Sequence, residues 1–493
     1  MCARPASSQR GLPQKAQAAT VISVDKASTA PLYRQVYDSV RQGILSGVWQ
    51  PGEQIPSLRE TAGQLHLARN TVVNAYQQLC AEGYIENRRG AGYFVTDVSF
   101  DLLRTPQAEQ PPSVARAASA AYAAPEPQAW DADFLYGNLK EGSFPANTWR
   151  KLAAEALFEE GGTWFNRYGN PLGLRGLREE LARYLVKSRN VRCTADQIVL
   201  TGGVQQSVER LLMLFDPAYD TFAMEDPGFP PVRTVVQDRR FHTHFVPTDR
   251  GAQAYLSALE DCHPQLIYTT PSHQMPMGQS MGLDTRLKLL ELAMSNDAYV
   301  LEDDYDSVFR FDSMPLPTLK SLDTADRVIY LGTFSKTLSP AVRMGYLVLP
   351  QRLMERFRST LERYRCCVSW LDQETLRLFM ARGYWQRHVR RLEHDVRARH
   401  TLLVNTLQEA MPSCVTMLGS EAGLHLLLNV EGCGTQEQLV EAARAAGVRI
   451  GGTRRYWHSP ASAPDGLVML GYSATPQEAI APGVEKLRTA WFK

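Results

Sequence analysis

The 493 residues carry 53 Lys and Arg against 52 Asp and Glu, a formal net charge of +1, and 44% of them are apolar. A near-neutral chain excludes a globally basic nucleic-acid coat and leaves any DNA contact to a local patch, and this length implies more than one domain. The eight cysteines, at 2, 80, 193, 262, 366, 367, 414 and 433, form no C-x-x-C pair, no histidines cluster at metal spacing, and no segment reads as a signal sequence or a membrane span. A cytoplasmic multidomain protein with reduced thiols, no metal and no membrane contact is expected.

Residues 1–29 read as a flexible polar tail, and a compact module follows over 30–98. Leu32, Val36, Val40 and Ile44 predict a helix over 31–46 with one buried stripe, ended by Gly47. Ser57 is an N-cap candidate for a short helix through Leu65, and after a turn a second helix runs from about Arg69 to Glu82, which is helix-turn-helix spacing. Val72, Val73, Tyr76, Leu79 and Cys80 are expected inward and Arg69, Asn70, Thr71, Asn74 and Gln78 outward. A recognition helix needs that division, with hydrogen-bonding side chains for base edges on one face and packing on the other. Tyr84-Ile85-Glu86 and Tyr93-Phe94-Val95 flank a hairpin tip carrying Arg88, Arg89 and Gly90, suited to a phosphate or a minor groove.

The stretch 99–130, rich in Ala, Pro, Gln and Ser, reads as a linker. From 131 to 493, short apolar runs at 197–200, 266–268, 299–301 and 328–331 alternate with long helical patterns, as when parallel strands are joined by crossover helices. The body is therefore expected to be α/β. Lys336, in Gly332-Thr333-Phe334-Ser335-Lys336, follows one such run and would emerge from a strand end into a ligand crevice. Glu302-Asp303-Asp304-Tyr305 follows another. Thr201-Gly202-Gly203-Val204-Gln205 closes a strand and opens a helix, where backbone N–H groups can approach a phosphate, and Arg343 adds a fixed cation. A lysine for a Schiff base, a carboxylate for a pyridine nitrogen, a donor to the ring oxygen and a phosphate cup are what a pyridoxal phosphate site requires.

Two resemblances sharpen this reading. Pro31-Leu32-Tyr33, Pro51-Gly52-Glu53, Ile55-Pro56-Ser57-Leu58-Arg59 and Gly83-Tyr84-Ile85 resemble the GntR-family winged helix-turn-helix, which implies DNA contacts at Arg59, Arg69, Asn70, Thr71, Arg89 and Gly90; Asn74, on the outward face, joins them. Tyr168-Gly169-Asn170-Pro171, Glu225-Asp226-Pro227-Gly228-Phe229, Thr270-Pro271-Ser272-His273-Gln274, Glu302 to Ser307 and Gly332 to Leu338 resemble the fold-type I aminotransferases. Together the two halves resemble the MocR/GabR subfamily of GntR regulators, which implies a pyridoxal-phosphate-binding effector domain over 131–493 with a smaller C-terminal α+β subdomain from about 385. The resemblance implies that Lys336 forms the internal aldimine, Asp303 pairs with the pyridine nitrogen and Tyr305 bonds the ring hydroxyl. It also implies that Gly203, Val204, Thr333, Ser335 and Arg343 hold the phosphate, Phe229 covers a ring face, Tyr168 reaches the phosphate of the other subunit, and His273 and Gln274 lie near the ring oxygen.

Two positions depart from the pattern. Where members that bind an amino-acid effector commonly carry one arginine and sometimes a second, this chain has Met469 and Pro231; either another group, with Arg233, Arg454 and Arg455 as candidates, meets the effector's anion or the effector lacks that anion. The expected function is transcriptional regulation: a head-to-tail homodimer binds a double-stranded operator and senses an amine, an amino acid or pyridoxal phosphate itself through Lys336. The alternative is an active aminotransferase with an accessory DNA-binding module.

Overall fold

The computed structural model describes residues 22–96 and 129–492, apart from 27, 160–163, 312–315 and 362. Most of the expected tail and linker therefore lies outside the described residues. The chain divides into two compact units, Met1–Pro127 and Gln128–Lys493.

The first unit is three helices and a hairpin. Helix α1 (Leu32–Leu45) buries Val36, Tyr37, Val40 and Ile44. Trp49 folds back against Gly43, where an added Cβ would lie 2.4 Å from the indole. Helix α2 (Leu58–Leu65) starts in a reciprocal capping box: Glu60 N–H donates to Ser57 Oγ at 3.3 Å and Ser57 N–H donates to Glu60 Oε2 at 2.8 Å. Helix α3 (Arg69–Ala81) buries Val72, Ala75, Tyr76 and Leu79, the stripe that a 3.6-residue period selects, while Val73 and Cys80 stay at its half-buried margins. Strands β1 (Ile85–Arg88) and β2 (Gly92–Val95) pair antiparallel from Ile85↔Val95 to Arg88↔Gly92. The hairpin tip is thus shorter than expected. Arg88 belongs to the strand, where it bonds Glu86 at 2.8 Å and lies 4.5 Å over the Phe94 ring, leaving Arg89, Gly90 and Ala91 at the turn.

The second unit holds two sheets. Its elements run β3 (Ala132–Asp133), α4 (Ala146–Glu159), α5 (Arg175–Arg189), β4 (Ile198–Thr201), α6 (Val204–Leu212), β5 (Thr221–Asp226), α7 (Pro230–Asp238), β6 (His242–Pro247), α8 (Ala252–Cys262), β7 (Leu266–Thr269), α9 (Leu283–Ser295), β8 (Tyr299–Asp303), β9 (Val328–Thr333) and β10 (Gly345–Val348). After these come α10 (Gln351–Leu361), α11 (Trp370–Ala381), α12 (Tyr384–Ala410), β11 (Val415–Leu418), β12 (His425–Val430), α13 (Gln436–Ala445), β13 (Val448–Arg449), β14 (Gly451–Gly452), β15 (Leu467–Gly471) and α14 (Gln477–Trp491).

The large sheet has the order β4-β10-β9-β8-β7-β5-β6. It departs from an all-parallel sheet at one strand: β10 runs antiparallel to both β4 and β9. Its central strands are buried on both faces, as the near-continuous apolar runs require. A four-stranded sheet, β11-β12-β15-β14, forms the smaller lobe with α12, α13 and α14. That lobe also takes in the start of the unit, because β3 pairs parallel with β13 and Phe134 sits in its core. Among the described residues no helix is long and apolar enough to cross a membrane, and no group of His, Cys, Asp and Glu could hold a metal.

Tyr76 bridges the first unit's core. Its buried hydroxyl donates to the Pro56 carbonyl at 2.9 Å and lies 3.0 Å from Thr61 Oγ1. Tyr76→Phe should therefore strand two buried polar groups and lower the unit's unfolding free energy by about 1–3 kcal/mol. Urea denaturation of the full chain, followed by amide exchange in α2 and α3, checks this, and an unchanged midpoint for that unit contradicts it.

Candidate functional site

Strands β8 and β9 lie side by side, and their carboxyl ends deliver the acidic run and the lysine to the same edge of the sheet. Because β10 returns antiparallel between β9 and β4, the segment 334–344 is folded across that edge, beside the start of α6. A cavity of about 200 Å³ opens there, lined by Tyr136, Gly203, Val204, Gln205, Phe229, Pro231, Tyr268, Thr270, Met275, Asp303, Tyr305, Thr333, Ser335, Lys336, Pro340 and Arg343.

Lys336 Nζ donates to the Gly137 carbonyl at 3.3 Å and lies 4.3 Å from the centre of the Tyr136 ring. Burial pushes its amine down to about 8, against a smaller opposing pull from the Asp306 carboxylate. The three acids before it have different partners. Glu302 accepts from the N–H groups of Leu319 and Lys320, each at 2.8 Å. Asp304 takes Arg189 in a two-point ion pair at 2.7 and 3.0 Å and the Tyr330 hydroxyl at 2.5 Å. Burial opposes ionisation of Asp304, but the Arg189 guanidinium outweighs it and holds that carboxyl below its ordinary range. Asp303 alone of the three lines the cavity. Its Oδ2 accepts from the Tyr268 hydroxyl at 2.6 Å, and its Oδ1 is buried with no protein partner. Burial pushes this carboxyl up to about 7.

At the opposite end, Gly203 caps α6 with φ +111°, and a Cβ there would lie 3.1 Å from Arg343 Nη2, which donates to the Gly202 carbonyl at 3.0 Å. The first N–H groups of α6 have no intrahelical acceptor. Thr333 and Ser335 add hydroxyls 3.1 Å apart. Phe229 forms part of the wall beside them.

Three named residues are not on this cavity's wall: Tyr168, expected at the phosphate of another subunit, and His273 and Gln274, expected in the segment near the ring oxygen. Tyr168 is 83% exposed under the Arg365 guanidinium and does not line this cavity. His273 is placed behind Tyr305 rather than on the wall, with Nδ1 bonded to Asp306 and to the phenol oxygen. Gln274 is turned into the structure, bonding Pro227, Met275 and Glu225. The candidate anion clamps are also committed. Arg233 donates to the carbonyls of Tyr456 and Arg455, Arg454 pairs with Glu437 and Asp465, and Arg455 lies over Tyr456. Met469 is buried under the Tyr456 hydroxyl. Sequence reasoning gave no role to Gln205, Thr270, Met275 or Pro340, which lie in or beside the quoted motifs, and missed Tyr136 and Tyr268 on the cavity wall and Arg189 behind it, which long-range folding brings there.

On the first unit, Arg59, Arg69, Asn70, Asn74, Arg89 and Gly90 are exposed and Thr71 is half-buried. Arg59 occupies the first turn of α2, and Arg69, Asn70 and Thr71 that of α3. The lone Asn74 follows one turn later on the outward face. Arg88, spent on Glu86 and Phe94, is not part of this set.

The architecture defines a winged helix-turn-helix joined to a fold-type I transferase body. Residues 32–95 match the gntR family of bacterial regulatory proteins, and residues 136–453 match aminotransferase class I and II. Among similar proteins, the uncharacterized HTH-type transcriptional regulator YdeL of Bacillus subtilis is 33% identical over 94% of this chain and 97% of its own. The probable rhizopine catabolism regulatory protein MocR of Rhizobium meliloti is 30% identical over 96% of both chains. The crystal structure of a multiple substrate aminotransferase from Thermococcus profundus shares the body's fold, with a TM-score of 0.66 and 24% identity over 80% of this chain and 98% of that one. The chain belongs to the MocR/GabR-type branch of the GntR family of transcription regulators. The cofactor of the aminotransferase class I and II fold is pyridoxal phosphate. The residues present fit it: the orphaned Asp303 Oδ1 requires a donor such as a ring N–H, and Gly203 with Arg343 leaves a cationic recess free of side-chain bulk.

A lysine lowered to about 8 is mostly protonated at pH 7 and mostly a neutral nucleophile at pH 9. Covalent capture of added pyridoxal phosphate at Lys336 should therefore speed up about fivefold between pH 7 and pH 8 and level off above about pH 9. Stopped-flow absorbance checks this, and a rate still climbing tenfold per unit at pH 9 would contradict it.

Proposed function

We propose that this regulator senses a primary amine, or pyridoxal phosphate itself, through the Lys336 cavity and that occupancy changes how its winged helices engage an operator. The observation that carries the reading is the pairing of a buried, easily neutralised lysine with an unpartnered carboxylate oxygen on the wall of one cavity. When bound, pyridoxal phosphate supplies an aldehyde carbon that joins covalently to amines and a ring that withdraws electrons.

The chain's own groups account for the rest. Lys336 presents its amine, and Asp303 keeps a proton on the ring nitrogen. The α6 N–H groups of Gly203 and Val204, with Thr333, Ser335 and Arg343, neutralise the phosphate. Phe229 covers one ring face, and Tyr305 meets the ring oxygen. Tyr168, exposed on its own subunit, would complete the phosphate end of a second copy in a head-to-tail homodimer. Such an assembly, in the cytoplasm, presents two DNA readers to two half-sites.

Turnover of an α-amino acid demands that its carboxylate be held while the α-carbon is fixed over the ring. Among the described residues lining the cavity, the cations are Lys336 and Arg343, and Arg343 stands at the phosphate end. That favours sensing over sustained transamination.

Lys336→Ala should abolish the visible absorbance of the loaded protein and the effector response while basal operator affinity stays within about twofold. Loss of basal binding would instead make the cofactor structural. Arg59→Ala or Arg69→Ala should weaken operator binding by about tenfold without bleaching the protein; unchanged gel-shift affinity would remove them from the reading face.

A further inference from the structure

We propose that His273 and Asp306 are positioning residues that aim the Tyr305 phenol toward whatever occupies the cavity. The inference rests on the reading of that cavity as the pyridoxal phosphate site, and it concerns groups for which that reading has no separate use.

His273 follows β7 and Asp306 follows β8, neighbouring strands of the large sheet. His273 Nδ1 lies 2.7 Å from Asp306 Oδ2 and 3.0 Å from the Tyr305 oxygen. The phenol donates its own proton to the main-chain carbonyl of His273 at 2.9 Å. With Nδ1–H toward the carboxylate and the phenol oxygen, the imidazole fixes where that oxygen stands. The phenol's own hydroxyl, resting on the His273 carbonyl, stays free to rotate toward a cavity ligand.

The imidazole is held in this role from its other sides. His273 Nε2 is buried without a protein partner, so the ring's side-chain hydrogen bonds run through Nδ1 alone. The ring also packs on Gly423, which has φ +84° and whose added Cβ would lie 2.0 Å from His273 Cε1. Gly423 is itself pinned, donating to the Phe309 carbonyl at 2.7 Å and accepting from the Tyr472 hydroxyl at 2.8 Å. The titratable and charged groups facing His273 are Asp306 and Tyr305 after β8, Arg310 through the Ser272 carbonyl, and His425 of β12, with ring centres 4.9 Å apart. Burial holds His425 down at about 3, so it stays neutral, with its Nε2 bonded to the Pro276 carbonyl at 2.9 Å. Lys336 and Tyr136 stand beyond His425, across the cavity. Among the described residues facing the imidazole, Asp306 is the one carboxyl group in direct contact with it.

Two measurements on the full chain test this. In cofactor-free protein, a low-field imidazole proton resonance should be present and should vanish in Asp306→Asn; its absence in the unaltered protein overturns the pairing whether or not the cofactor reading holds. After loading with pyridoxal phosphate, His273→Ala should move the pH midpoint of the visible band by about 0.5–1 unit. His273→Asn, whose amide N–H can stand where Nδ1–H does, should restore it. The shift in His273→Ala/Tyr305→Phe should equal that of Tyr305→Phe alone, because the pair acts through the phenol. A midpoint unmoved in His273→Ala, no rescue by His273→Asn, or additive shifts in the double variant would overturn the proposal. A loaded protein with no borohydride-trapped adduct on Lys336 would fault the cofactor reading instead, and the resonance would still decide the His273–Asp306 pairing.

Discussion

A single reversed strand holds the phosphate end of the site to the lysine end. Had β10 run parallel to its neighbours, the chain leaving β9 would have needed a long crossover to the far end of the sheet, and Arg343, just before β10, would have left the edge on which Lys336 stands. Instead the return is short, and 334–344 stays on the carboxyl edge between β9 and β4. The price is crowding. A Cβ on Gly332 would stand 2.2 Å from the Tyr346 ring, and one on Gly345 would stand 2.9 Å from the Gly332 carbonyl and 3.1 Å from the Gly203 Cα. Glycine at these places lets the reversed strand pack, and the same close approach brings Arg343 over the start of α6.

Once the amine is buried there, electrostatics decides what the neighbouring acids can do. Three consecutive carboxylates at a buried strand end would repel one another if all were equivalent. The fold separates them by giving Asp304 a guanidinium, Glu302 two backbone donors, and Asp303 only one phenol. Asp303 therefore keeps one oxygen without a protein partner at the cavity wall, where a ligand's donor can satisfy it. A ligand with such a donor stabilises the folded body by that linkage.

Local features were legible in the sequence, and distant partnerships were not. The α2 start was readable because Ser57 is an N-cap residue ahead of a short helical pattern, and the strands before Asp303 and Lys336 were readable as apolar runs. Arg88 misled because its place in β1 depends on hairpin register, fixed by pairing with Gly92 and not by composition. The run of acids could not be resolved without Arg189, which lies 115 residues from Asp304 in sequence. His273 was placed near the ring by resemblance, yet its position behind Tyr305 depends on Gly423 leaving room, a contact between segments far apart in the chain.

The cavity also sits where the two lobes of the body meet, which bears on how occupancy can matter. Gly228, next to Phe229, donates to the Tyr456 carbonyl at 2.9 Å, and His458 N–H donates to Asp226 Oδ1 at 2.7 Å, so the large lobe is tied to the smaller one immediately beside the wall. His273 against Gly423 is a third such tie. A ligand shifts an equilibrium only by binding one arrangement better than another. Small changes at Phe229 or Tyr305 act directly on these ties, so the lobes' relative placement is the variable that a cavity ligand is best placed to bias.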